Sequence, residues 1–356
     1  MSLDLPGWSF ILAAFICAFA ITWIGIPKVL DLAMLKKLYD LPGERTSHSR
    51  PTPRLGGAMI FAGVIISSVI FTGVENSDQL NYVIAGMLIL FFIGIKDDII
   101  SLTPLKKIIG QFLAAMILVI PGHIRIQHCY GLFGLETLPS GMSIIFTILI
   151  VVTLINSMNL IDGIDGLASG VGILASLIFG LWFYINDYLS FAVICASLTG
   201  SLIAFFYFNV FGREKKIFLG DTGSMLIGFL LAVNAINFLE KNAADLTGTG
   251  IEVAPSITLA ILVLPVFDIF RIIFVRLLNR KSIFKADNNH IHHNLLRISN
   301  SHLKTTTVLL TINLAVVILT YLFRSLGNIV LLSAIAGLCT ILSFYLFFYL
   351  KKNDIR

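Results

Sequence analysis

The chain has 356 residues, of which 57 % are hydrophobic and only 13 % are Asp, Glu, Lys or Arg. A soluble domain carries about 25 % charge, so this composition and a mean hydropathy of +0.93 exclude a soluble globular protein. Continuous apolar runs exclude the alternating pattern of a membrane β-barrel, and a formal net charge of +5 means little until its placement is known.

Lipid offers the backbone no hydrogen bonds, so the spans must be helices, each with roughly 20 apolar residues. The chain therefore predicts an all-α, polytopic membrane protein with about eleven transmembrane helices. They are centred near Phe19, Val64, Leu88, Ala115, Leu149, Leu177, Ala196, Leu230, Leu262, Leu314 and Ala336. The first run lacks a cleavable-signal pattern and continues into the amphipathic KVLDLAMLKKLYD, so it reads as a retained helix. We expect one integral membrane catalytic unit over 1–356, with a cytoplasmic basic, histidine-rich loop at 268–305. Cys17, Cys129, Cys195 and Cys339 show no metal spacing and read as small hydrophobes.

Taken alternately, one set of loops holds all but three of the 25 Lys and Arg residues; the other set holds Arg125, Lys241 and Arg324. The positive-inside rule then predicts the N-terminus outside and the C-terminus in the cytoplasm.

Five polar segments fall on the predicted cytoplasmic side. RTSHSRPTPRLGG brings Arg45, His48, Arg50 and Arg54 up to a Gly-Gly that starts a span; orientation charge with small packing residues would also explain it. IKDDIISLTPLKKIIGQ ends an apolar run on Asp97 and Asp98. Adjacent carboxylates repel unless a cation bridges them, although a solvated helix cap is the alternative. NSMNLIDGIDGLASG places Asn156, Asn159, Asp162 and Asp165 at three-residue intervals, so one turn would align them. They read as a polar site or as an interhelical contact. FNVFGREKKIFLGDTGSMLIG puts Asp221 and hydroxyls at a helix start. That suits an N-cap, an oxygen-rich Mg²⁺ site or a bound phosphate. FDIFRIIFVRLLNRKSIFKADNNHIHHNLLR carries His290, His292 and His293 among cations. It suits a diphosphate, with a solvated basic face or zinc as alternatives.

All five lie on one side, while the second, third and fifth to eighth runs contain no acid or base. A transporter keeps ionisable residues at membrane depth. Polar chemistry gathered at one surface predicts instead an enzyme joining a water-soluble polyanion to a membrane lipid. No nucleic acid is expected as a partner.

RPTPRLGG, GIKDD, NLIDGIDGLASG, FLGDTGS and NNHIHH, in that order from Arg50 to His293, resemble the polyprenyl-phosphate N-acetylhexosamine-1-phosphate transferases (glycosyltransferase family 4). The resemblance is WecA/TagO-like rather than MraY-like, because HIHH is followed by Asn294 rather than an aromatic and Glu. It implies transfer of GlcNAc-1-phosphate from a UDP-sugar to undecaprenyl phosphate, releasing UMP and starting a lipid-linked surface glycan. Transfer of phospho-MurNAc-pentapeptide or another sugar, or a lipid-linked glycan transporter, stands as the alternative. The resemblance further implies Mg²⁺, with Mn²⁺ as a substitute, held by Asp221 with Asp98. It implies an essential pair Asp97 and Asp98, with Asp98 as base toward the lipid phosphate. Asn156, Asp162 and Asp165 shape the nucleotide pocket, Phe218 stacks on uracil, and Asn209 and Lys107 are further polar positions. His290, His292 and His293 handle the diphosphate. Asn159, Arg54 and Arg276 complete the expected substrate-binding set. The expected location is the inner (cytoplasmic) membrane, multi-pass in the lipid bilayer, with the site on the cytoplasmic face; a homodimer is an open expectation.

Overall fold

The computed structural model describes residues 6–39, 52–72, 77–244, 250–278 and 290–352. Arg45, His48 and Arg50, and residues 279–289 of the basic loop, lie outside the described residues.

Thirteen α-helices account for the described chain, and no named β-strand occurs among these residues. In order they are α1 (Gly7–Leu35), α2 (Gly56–Phe71), α3 (Ser77–Ile99), α4 (Pro104–Val119), α5 (Ser140–Ile161), α6 (Leu167–Ile185) and α7 (Leu189–Phe211). Then follow α8 (Gly220–Ala244), α9 (Ala254–Ile261), α10 (Val263–Leu278), α11 (Ile291–Ser299), α12 (His302–Leu322) and α13 (Asn328–Lys352). Each of the eleven apolar runs coincides with a helical unit. Seven helices among the described residues are long and apolar enough to cross a membrane, and the bent pair α9–α10 makes an eighth.

The ninth run, expected as one span, is two helices bent by 80°. Pro265, in the first turn of α10, lacks an N–H and its ring clashes with the carbonyl four residues earlier, so the helix cannot run through. A broken helix inside lipid needs other donors for its freed carbonyls. Asn313 of α12 supplies them, donating from Nδ2 to the carbonyl oxygens of Ala260 (2.8 Å) and Ile261 (3.3 Å).

Helix α8 lies at the centre, packed against α2, α3, α5, α6 and α9. It is buried along almost its whole length, from Gly220 to Asn242, as its apolar composition on every face requires. Side-chain-free surfaces let backbones close in on it; a Cβ on Gly57 would strike the backbone of Gly223. Because the helices alternate in direction around α8, they share two ends. The ends of α3 and α5 and the starts of α4 and α8 meet at one. The starts of α3 and α5 and the ends of α4 and α8 meet at the other.

Candidate active site

At the first end, α3 stops on Asp97 and Asp98 and α4 restarts after four residues, with Pro104 at its first turn. The two neighbouring carboxylates point at different tasks. Asp97 Oδ1 accepts from Leu102 N–H (2.6 Å), which closes the α3–α4 turn, and its Oδ2 pairs with Lys107 Nζ at 2.6 Å. Asp98 reaches the start of α8. It accepts from Asp221 N–H (2.7 Å), Thr222 N–H (3.1 Å) and Thr222 Oγ1 (2.6 Å). A helix N-terminus leaves N–H groups unpaired and favours a nearby anion. Asp98 thus caps α8 from another helix. Gly220, at φ +74°, is required here, because a Cβ would run into the Arg54 carbonyl and sit 2.7 Å from the Asp98 carboxylate.

Asp221 is the meeting point. Its Oδ1 accepts from Lys107 Nζ (3.1 Å) and from Asn159 Nδ2 (2.5 Å). Asn159, in the last turn of α5, also reaches Ser224 Oγ (2.9 Å). The Asp221 carboxyl also lies within hydrogen-bond reach of the Asp97 carboxyl. Asn156, one turn earlier, exchanges hydrogen bonds with Gln111 of α4 (2.6 and 3.3 Å). Asp162 follows directly at the C-cap of α5 and makes no hydrogen bond or ion pair with any described residue. Desolvation pushes its carboxyl well above the usual range, and the negative charges of Asp221, Asp98 and Asp165 add to the shift while Arg54 opposes it. Asp162, a carboxylate without a hydrogen-bond partner among the described residues, and Asp221, whose charge it feels, are a donor set for a hard divalent cation. Mg²⁺ takes one or two carboxylates and completes its octahedron with water and substrate phosphates, so the residues fit such an ion. Asp98 fits it less well, since three donors already occupy its oxygens.

The three-residue spacing does not put Asp165 with its fellows. The helix ends at Ile161, and the DGIDG loop turns Asp165 toward Lys216 Nζ (2.6 Å) and His302 Nδ1 (3.5 Å). Asn209 accepts from Gly166 N–H (2.7 Å) and donates to the Ile217 carbonyl (2.9 Å), clamping that loop to the segment before α8. Both ends of its amide are thereby used on backbone. Phe218 is held extended by its N–H to the Pro53 carbonyl (2.8 Å), while Gly56 and Gly57 donate to the Phe218 and Leu219 carbonyls. Its half-buried ring lies 5.5 Å from Lys216 Nζ. Arg54 is exposed beside this strand-like pairing.

The histidines sit against the same loop from the other side. A Cβ on Gly163 would lie 2.9 Å from His292 Nε2 and 3.0 Å from His293 Cε1. Asp268 of α10, buried, accepts from His290 Nδ1 (2.8 Å) and from Ile291 N–H (3.1 Å). This fixes the turn into α11 and leaves His290 Nε2 as the free ring atom. His292 is buried with Nε2 unpartnered. Burial first, then the neighbouring imidazoles, push His292 down to about 3 and His293 to about 4, so both are neutral near pH 7. Ligand atoms of Asp268, His290 and His292 fall within 4.8 Å of one another, and the Asp268–His290 hydrogen bond already uses two of them. Arg276 is buried just over two turns beyond Asp268 on α10.

Sequence reading missed Asp268, Lys216, His302 and Gln111. Asp268 carried a signal, an acid inside the apolar stretch VLPVFDIF. Lys216 and His302 carried none, because their roles depend on which loops meet.

A multi-helix membrane bundle with its acids collected at one helix end defines a membrane-bound enzyme scaffold rather than a pore. The description glycosyl transferase family 4 matches residues 80–239. Decaprenyl-phosphate N-acetylglucosaminephosphotransferase of Mycobacterium tuberculosis is 31 % identical over 311 residues, 81 % of this chain and 76 % of that protein. The probable undecaprenyl-phosphate N-acetylglucosaminyl 1-phosphate transferase of Bacillus subtilis is 29 % identical over 96 % of this chain and 90 % of its own length. Undecaprenyl-phosphate α-N-acetylglucosaminyl 1-phosphate transferase of Yersinia pestis is 30 % identical over 73 % of this chain and 70 % of its own. The chain belongs to glycosyl transferase family 4, among the polyprenyl-phosphate N-acetylglucosamine-1-phosphate transferases.

Proposed function

We propose that the protein transfers N-acetylglucosamine 1-phosphate from UDP-N-acetylglucosamine to a polyprenyl phosphate such as undecaprenyl phosphate, releasing UMP. The observation that carries this reading is the convergence of Asp97, Asp98, Lys107, Asn159 and Asp221, from four helices, at one end of the bundle. Relatives named as N-acetylglucosamine transferases support that sugar over phospho-MurNAc-pentapeptide.

Asp221 and Asp162 would hold Mg²⁺, which when bound offsets the repulsion between two anionic reactants. Lys107, braced between Asp97 and Asp221, presents its cation to the diphosphate. Phe218 offers its ring to the uracil. His290, His292 and His293 offer hydrogen-bonding groups toward the diphosphate or sugar, with His292 and His293 neutral, and Arg276 and Arg54 add positive charge at the rim. Asp98 is a positioning residue, holding the first turn of α8 so that Asp221 faces the site. No protein base is required. A phosphate monoester has a second pKa near about 6, so the lipid nucleophile is already mostly dianionic at neutral pH. Its oxygen attacks the sugar-linked phosphorus, and the bond to UMP breaks. Among the described residues, Lys96, Lys106, Lys107, Arg213, Lys215 and Lys216 flank the helix ends that meet here. That supports a cytoplasmic-face site in the bacterial inner membrane, with the N-terminus outside.

The test is UMP release by purified protein from a panel of UDP-sugars, with undecaprenyl phosphate and Mg²⁺. Release from UDP-N-acetylglucosamine alone is expected. Silence with every donor would remove the enzyme reading; turnover with UDP-MurNAc-pentapeptide would reassign the sugar.

A further inference from the structure

The other end of α8 has a charged cavity of its own. It measures about 230 Å³ and lies between the start of α3, the segment 120–139, the α6–α7 turn and the end of α8. Lys241 stands 20 residues after Asp221, so the cavity is about 30 Å along the helix from the site already described. Of 25 Lys and Arg residues, only Arg125, Lys241 and Arg324 belong to this side's loops, and two of those three line this one cavity. Cations are disfavoured on that side, so their meeting needs a cause.

The cause is not an ion pair. Glu240, the one acid among the described residues lining the cavity, is already satisfied. Its Oε1 accepts from the N–H groups of Gln127 (2.7 Å) and His128 (3.1 Å), and its Oε2 pairs with His128 Nδ1 (2.9 Å). Arg125 makes no hydrogen bond or ion pair with any described residue, and its Nε is buried without an acceptor. Lys241 Nζ sits 4.5 Å from the Tyr188 ring centre and 5.1 Å from that of Phe191. Those rings attract a cation but do not neutralise it. His123 also lines the wall, beside the apolar Ile124 and Ile236. Among the described residues, the cavity therefore holds two cations without carboxylate partners, next to one fully engaged carboxylate. A buried donor left unmade is costly.

We infer that this cavity binds a phosphate-bearing anion, either the phosphodiester headgroup of an anionic lipid in that leaflet or free inorganic phosphate. The guanidinium offers a planar fork that meets two phosphate oxygens, and the ammonium adds a point charge. The apolar wall suits the glycerol stem of a lipid. The anion would tie the 120–139 segment to the end of α8.

The full-length protein in detergent is titrated with dioleoylphosphatidylglycerol, with zwitterionic dioleoylphosphatidylcholine, and with inorganic phosphate at constant ionic strength. Native mass spectrometry counts bound lipid, and thermal unfolding reads stabilisation. The wild type is expected to retain one more phosphatidylglycerol than Arg125→Gln/Lys241→Gln, with phosphatidylcholine bound equally by both, and to gain a thermal shift the variant lacks. Stabilisation by phosphatidylglycerol alone assigns the lipid; stabilisation by phosphate alone assigns the free ion. Arg125→Lys keeps the charge and is expected to retain the adduct, which guards against a double variant that folds poorly. Equal adducts and equal shifts in wild type and variant with both probes overturn the inference. UMP release is measured separately, so failure of the transferase reading leaves this outcome distinct.

Discussion

The two ends of α8 carry opposite imbalances. At its start, acids outnumber their partners. Asp162 has none among the described residues, Asp221 and Asp97 lie within hydrogen-bond reach of each other, and Lys107 is shared between those two carboxylates. At its far end the acid is saturated and the cations are bare. Neither imbalance stabilises the fold by itself, because an unpaired group near a low-dielectric core is a cost. Each is what a protein looks like when a ligand of the opposite sign completes it.

The largest expected effect tests the acidic end. Asp221→Asn should lower UMP release by roughly 10²–10³-fold or more, the scale of removing one electrostatic group from a reacting centre. The thermal midpoint should stay within a few degrees of wild type. Near-normal turnover would leave Asp221 without a role and dissolve the contrast between the ends. Next comes Asp98→Asn. An amide has one acceptor oxygen for three donors, so about 1–3 kcal/mol of stability should go with the lost cap. Turnover should fall by a factor that does not change with pH. A defect that recovers as pH rises would restore Asp98 to the role of base.

Acid should weaken the acidic end through its histidines. His292 and His293 have folded pKa values of about 3 and 4, below the ordinary 6.5. Between those values the unfolded chain binds protons that the folded chain does not, so folding stability rises with pH there. Their contribution is complete above about pH 6.5 and drains away as pH falls toward 3. Thermal midpoints across that range should drop, and a His292→Asn variant should drop less steeply. Glu240→Gln should do least. Its oxygen can still accept from Gln127 and His128 N–H, and the half-exposed His128 pair is worth about 0–1 kcal/mol. UMP release should match wild type; a loss as deep as that of Asp221→Asn would mean the two ends act as one site.

Much of the bundle was readable because lipid imposes one rule, that each span be apolar and helical. Every predicted run is helical, ten as single helices and the ninth as a broken pair, and the all-α class follows. The ninth run shows the limit. Pro265 was visible, but that the chain would break by 80° there, and not merely kink, depends on Asn313 being near enough to take over the freed carbonyls. The site divides in the same way. Asp97, Lys107, Asn159 and Asp221 were singled out one by one and do meet. Asp165 was grouped with Asp162 by spacing, and the loop turned it to Lys216 and His302 instead.

Composition alone determined that this is a multi-pass helical membrane protein, since burial in hydrocarbon leaves no other solution for such a chain. Which carboxylate caps a helix, which stays bare, and which histidine nitrogen is free were decided only when α3, α4, α5, α8, α10 and α11 came together. Hydrogen bonds act over about 3 Å, and residues more than a hundred positions apart, such as Asp98 and Thr222, come within that distance only through packing.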